Sequence, residues 1–161
     1  MSEIDDLRAQ MQQARAELLA ALDGVTQEQL ERQPPPGAEG EAQWSMVEVL
    51  WHVGHTEDRL RRTVDQALGG RPITDDAPRS RPAYLVTREL LTAWLEQTRR
   101  PTEVLLRDMA EADLDREFLR PNGSTRTPRW VLELLVRHDR DHAAQVRTLR
   151  ELEPASSGGE A

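Results

Sequence analysis

The chain has 161 residues, no cysteine, no lysine and a net charge of −8. That length supports one domain with a real core and no need of cross-links, and the missing residue types exclude thiol nucleophiles, zinc–thiolate and iron–sulfur sites, Schiff-base lysines and phosphate-binding lysines. The acidic balance argues against a nucleic-acid partner, which needs a positive face, and no apolar run nears the ~20 residues of a membrane helix.

The opening Met1-Ser2-Glu3-Ile4-Asp5-Asp6 is acidic. It lacks the basic-then-apolar layout of a secretory signal, so a cytoplasmic location is expected. A first helix is expected from about Ser2 to Leu22, because Ile4, Leu7, Met11, Leu18 and Leu22 recur at helical steps. Gly24 ends it, and Thr26 caps a short helical piece through Arg32. Pro34-Pro35-Pro36-Gly37 breaks the chain, and a loop follows to about Gln43. Ser45 and Glu48 form a capping box that opens a second long helix, stopped after Leu68 by Gly69-Gly70. The connection 71–82 contains Pro72, Pro78 and Pro82. Its length makes it the best candidate for a substrate-facing loop. Thr87 opens a third long helix, with Leu90, Leu91, Trp94 and Leu95 expected to face inward. Pro101 is expected to kink or split it, and Leu105, Leu106 and Met109 continue its apolar face. Pro121-Asn122-Gly123 marks a turn. Thr127-Pro128 is an N-cap followed by a first-turn proline, and the last helix runs to about Leu152. Residues 154–161 read as a flexible tail, leaving 1–153 as one domain.

Strand signals are nearly missing. Four long amphipathic helices make the expected fold class all-α, a four-helix bundle with short extra helical pieces. The arginine clusters (Arg59, Arg61, Arg62; Arg99, Arg100) sit among acids and read as solvated helix faces. Trp44 and Trp130, at helix starts, read as hydrophobic plugs. Trp94 reads as core, and Trp51 as a candidate for a dimer face.

The four histidines form two pairs. His138 and His142 stand at i and i+4 on the last helix, neighbours on one face. Val131, Leu132, Leu135, Val146 and Leu149 define the buried side of that helix. At roughly 100° per residue His142 falls near its middle and His138 toward one flank. On the second helix His52 lies at the flank of the face set by Val49, Val53, Leu60 and Val64, whereas His55 lies nearly opposite. Two readings fit. One is a set of hydrogen-bonded core histidines. The other is a three-histidine metal site with an open coordination position, the mark of a catalytic rather than a structural ion.

Trp44-Ser45, Glu48, Leu50 and His52-Val53 resemble the tryptophan-to-histidine motif of the DinB/YfiT-like superfamily. His138-Asp139-Arg140-Asp141-His142, followed by Gln145-Val146, is similar to that family's closing motif on its last helix. The order and spacing agree over nearly the whole chain. The resemblance implies a four-helix bundle holding a divalent metal (zinc, nickel, manganese or iron) with His52, His138 and His142. It also implies a homodimer. Trp51 and His55 depart from the motif. His55 reads as a surface residue, with an alternative ligand and a proton shuttle as its other readings.

Characterised members of that superfamily include transferases and isomerases that use bacillithiol, mycothiol or glutathione. The resemblance therefore implies transfer of a low-molecular-weight thiol to a small electrophilic substrate. A chain without cysteine would take its thiol from such a cosubstrate, and an ion with an open position can bind and deprotonate it. Asp139 and Asp141 flank the ligands. Either is a candidate to orient an imidazole, and both also read as solvated helix acids. Two other functions fit the same residues. One is metal-assisted hydrolysis with Glu57 as base, although Glu57 also reads as an ion-pair residue. The other is a non-catalytic metal-binding stress protein.

Overall fold

Each long helix begins where the chain supplies its own cap. Ser2 opens α1 (Glu3–Ala20) by accepting from the Asp5 N–H, with the Asp5 side chain reaching back. Thr26 and Gln29 do the same for the five-residue α2 (Gln27–Glu31). Ser45 Oγ accepts from Glu48 N at 3.3 Å while Glu48 Oε2 accepts from Ser45 N at 2.7 Å, opening α3 (Met46–Leu68). Thr87 caps α4 (Arg88–Asp108), and Thr127 with Pro128 starts α5 (Pro128–Arg150). These side chains satisfy N–H groups that a helix start otherwise leaves without partners. The computed structural model describes residues 1–154, so the tail expected from Pro154 onward lies, after that proline, outside the described residues.

The molecule is the expected all-α bundle. α1 lies along α5, and α3 packs against both α4 and α5. Short 3₁₀ turns occupy Gly40–Gln43 and Glu111–Asp115. No described helix is long and apolar enough to cross a membrane.

Strand is as scarce as the sequence indicates, and two other expectations need correction. Strand is present as a small antiparallel hairpin, β1 (Phe118–Leu119) with β2 (Thr125–Arg126). Its turn uses Gly123 at φ +82°, a conformation that favours glycine. α4 runs through Pro101 as one element instead of splitting. Leu90 is 42% exposed rather than inward, whereas its neighbour Leu91 is fully buried in the core.

The core has two apolar halves. Leu18, Leu22, Met46, Leu50, Leu91 and Val146 fill one. Met11, Leu60, Val64, Leu106, Leu132 and Leu135 fill the other. Between them every long helix interrupts its apolar stripe at one level. α1 places Arg15 there, α3 Glu57, α4 Arg99 and α5 Asp139, and all four are buried. The histidines sit beside this polar layer, on the same stretches of α3 and α5.

Candidate metal centre

The buried polar layer fixes the helices that carry the histidines. Arg15 donates to Glu57 Oε2 at 2.6 Å and to Asp139 Oδ2 at 2.9 Å. Arg99 donates to Glu57 Oε1 at 2.7 Å and to Asp139 Oδ2 at 3.1 Å. The remaining guanidinium donors reach backbone carbonyls, Leu95 O from Arg15 and Met11 O from Arg99. Two cations and two anions thus compensate each other, with charge-assisted bonds supplied on every side. Burial alone would raise the Glu57 carboxyl, but Arg15 and Arg99 outweigh it and hold Glu57 below the usual carboxylate range.

Several site expectations change here. Asp139 is only 2% exposed. It is neither a solvated helix acid nor an orienter of an imidazole, because both its oxygens serve arginines. Asp141 is exposed, as a solvated acid would be. Glu57 is 1% exposed with both oxygens engaged, so it is an ion-pair residue and not a free base. Arg99 belongs to the core and not to a solvated face.

α3 and α5 bring His52, His138 and His142 together, with one ligand atom of each within 4.8 Å of the others. His52 Nε2 lies 3.0 Å from His138 Nε2, which lies 3.1 Å from His142 Nε2. The rings meet at steep angles, 56° between His52 and His138 and 81° between His138 and His142. The nitrogens therefore converge while the rings splay apart. Burial, then the neighbouring His142, His55 and Arg59, lowers His52 to about 4. Burial, with His142, His52 and Arg15 behind it, lowers His138 to about 3. Both rings are neutral near pH 7, the form that ligates metal.

Proton bookkeeping tests whether an ion fits. Gln145 Nε2 donates to the Glu41 carbonyl at 2.7 Å, and its Oε1 lies 2.8 Å from His142 Nδ1. A carbonyl only accepts, so the amide orientation is set and His142 Nδ1 carries the proton. The bare Nε2 of His142 then faces His138. A neutral His138 protonated on Nε2 can donate fully to only one of its two close neighbours. Protonated on Nδ1, it turns a bare nitrogen toward the bare nitrogen of His142, and its buried Nδ1 has no partner. Neither state makes both contacts hydrogen bonds. A cation shared by the three Nε2 atoms resolves the conflict. Two imidazole nitrogens about 2.0–2.1 Å from one ion stand about 2.8–3.4 Å apart for angles between a right angle and tetrahedral, and the two close contacts, His52 with His138 and His138 with His142, fall in that range.

The rim was less legible in the sequence. Trp44 packs against the His52 ring with centroids 4.8 Å apart, so it walls the site as well as plugging the bundle. The Glu41 carboxylate, on a residue 56% exposed at its side chain, places Oε1 3.3 Å from His52 Nε2. Thr56 Oγ1 lies 3.5 Å from the same nitrogen. Gln145 stands at i+3 from His142, a spacing that signals contact on a helix, whereas no spacing links Glu41 to His52. His55 stays out of the cluster and is half-buried, its ring stacked on Trp51 at 4.8 Å and 12°. Burial and Arg59 lower its pKa. Trp51 is half-buried too. Trp94, expected as core, is only partly buried and donates from Nε1 to the Trp51 carbonyl at 3.1 Å.

A family model described as the DinB superfamily matches residues 10–146, a span that takes in all three histidines. Among solved structures, a conserved protein from Enterococcus faecalis is similar, with a TM-score of 0.66 at 14% identity over 93% of this chain and 96% of that one. At that identity the likeness shows the fold alone. No curated protein matches the chain. With the family model spanning most of its length, the chain belongs to the DinB superfamily.

Proposed function

We propose that this protein is a divalent-metal-dependent enzyme that transfers a low-molecular-weight thiol to an electrophilic substrate, with His52, His138 and His142 as metal ligands. The observation that carries the metal half is the convergence of three Nε2 atoms whose two close contacts cannot both be hydrogen bonds. Of the ions considered, zinc, nickel and iron suit imidazole nitrogen best. Such an ion, when bound, supplies Lewis acidity and a place where a thiol or water loses its proton.

The chain's own residues do the rest. Gln145 holds His142 in the tautomer that frees Nε2. Trp44 and the core close the site on one side. Glu41 Oε1 stands at the exposed edge, positioned to take up a proton there. A cleft of about 380 Å³ shares Glu41 and Gln145 with the site's rim and adds Pro34, Ala42 and Leu149. The thiol half rests on family membership; with no cysteine in the chain, the thiol would come from a cosubstrate. The engagement of both Glu57 oxygens weighs against the hydrolytic alternative that used it as base. A cytoplasmic homodimer belongs to the same proposal, and sedimentation in solution checks the dimer.

The test is an assay of the metal-loaded protein with glutathione, mycothiol and bacillithiol in turn, against a chloronitrobenzene electrophile. Transfer with one of these thiols, abolished in His142→Ala, is the expected result. No transfer with any of them, from protein shown to hold its ion, would contradict the thiol half and leave a metal-binding protein of another activity.

A further inference from the structure

α3 carries a second polar feature beyond the metal centre. Arg59 stands seven residues after His52, two turns along the same face and about 10 Å away along the helix axis. It lines a cavity of about 230 Å³ between α3, the 71–82 connection and the hairpin turn, together with Thr63, Ile73, Asp75, Arg120 and Asn122. The proline-rich connection thus forms one wall of a pocket.

Arg59 differs from the other cations of α3. Arg61 pairs with Asp58 and Asp65, and Arg62 with Asp58. Among the described residues the Arg59 guanidinium has no ion-pair or hydrogen-bond partner, and its Nε is buried. The Arg120 guanidinium also reaches no carboxylate among the described residues. It lies 5.9 Å from the Trp130 ring centroid. Asp75 brings one negative charge to the cavity wall, but it is exposed and outside ion-pair distance of both arginines. The cavity therefore holds two guanidiniums against one carboxylate.

A buried guanidinium nitrogen without an acceptor is unfavourable, and two guanidiniums sharing one small cavity repel. An oxyanion relieves both. Thr63 and Asn122 add neutral polar groups, and Ile73 with Leu60 adds an aliphatic wall. The volume is below the roughly 300–1,000 Å³ of a pocket that swallows a whole ligand. It suits one charged group of a longer molecule.

We propose that this cavity binds a carboxylate of the electrophilic substrate, held between the Arg59 and Arg120 guanidiniums, with the substrate's reactive end directed toward His52. The inference rests on the proposed metal chemistry only for that reactive end. The carboxylate pocket stands on the arginines alone.

Calorimetric titration of the metal-loaded protein with succinate tests it. Succinate should bind, and Arg59→Gln or Arg120→Gln should each weaken binding about tenfold or more. Asp75→Asn should tighten it, a gain that no misfolded variant mimics. Arg62→Gln, on the same helix but outside the cavity, should leave it unchanged. His142→Ala should keep succinate binding even as it loses the ion. Binding that survives both arginine substitutions but vanishes in His142→Ala would place the carboxylate on the metal and overturn the pocket. Absence of succinate binding to the unaltered protein would overturn it too. Failure of the metal reading shows separately, as no metal in the unaltered protein, and leaves the Arg59 dependence intact.

Discussion

Gln145 decides which nitrogen of His142 is free, so it is the residue where the metal account can be probed without removing a ligand. Gln145→Leu should weaken metal affinity about 10–100-fold, the usual effect of losing the group that orients a ligating histidine. Competition against a chelating dye measures this, and unchanged affinity would contradict the role given to Gln145. The buried arginines make a second residue-scale prediction. Arg15→Met keeps most of the side-chain volume but leaves Glu57 and Asp139 sharing Arg99. It should cost about 3–5 kcal/mol in denaturant unfolding. Arg100→Met, which breaks an exposed pair with Glu96, should change stability by no more than about 0.5 kcal/mol. The histidines were legible in the sequence because two of them share a helix face at i, i+4. The polar layer was not, because charges on an amphipathic helix ordinarily face water. Its trace was nevertheless present. Arg15 continues the stripe from Met11 to Leu18, Glu57 that from Val53 to Leu60, and Arg99 that from Leu95 to Leu106. One helix taken alone cannot show that its buried charge has a partner on another.

Helix starts were legible almost to the residue, since each depends on a local cap: Ser2, Thr26, Ser45, Thr87 and Thr127. What local signals missed was tertiary. The hairpin at Phe118–Arg126 forms around a turn visible in the sequence, but its strands are too short to leave a pattern. Pro101 was expected to kink or split α4, and the helix is not split there. The contact of α3 with α4 also hangs on a glycine whose purpose no pattern shows. A Cβ at Gly54 would overlap the Trp94 indole at Nε1, the atom that donates to the Trp51 carbonyl. Gly54→Ala should therefore displace Trp94 and cost about 1–3 kcal/mol, as overpacking does, despite alanine's better helix propensity. Thermal melting and the indole fluorescence of the variant check both consequences. A variant as stable as the parent would show that α3 and α4 are not held at this point.

For the whole molecule, the metal-free bundle should be acid-sensitive in a particular window. The folded-state pKa values of about 4 for His52 and about 3 for His138 lie below the 6.5 of an unperturbed imidazole. Between these limits the unfolded chain binds protons that the folded chain refuses, so stability is full above about pH 6.5 and declines as pH falls toward 3. The loss is on the order of a few kcal/mol, most of it from the deeper His138. Melting of metal-free protein across that range should show the decline, and His138→Gln should flatten it. An equally steep decline in that variant would assign the sensitivity to other groups. Bundle, polar layer and histidines together make one central claim, that three imidazoles from α3 and α5 hold a single divalent ion. Elemental mass spectrometry of protein purified without a polyhistidine tag or chelator tests it most directly, with His142→Ala alongside. About one equivalent of a divalent metal, lost in the variant, is the predicted result. Protein that stays metal-free after incubation with zinc, nickel, manganese and iron would contradict the claim and leave the three histidines as polar residues of the bundle interior.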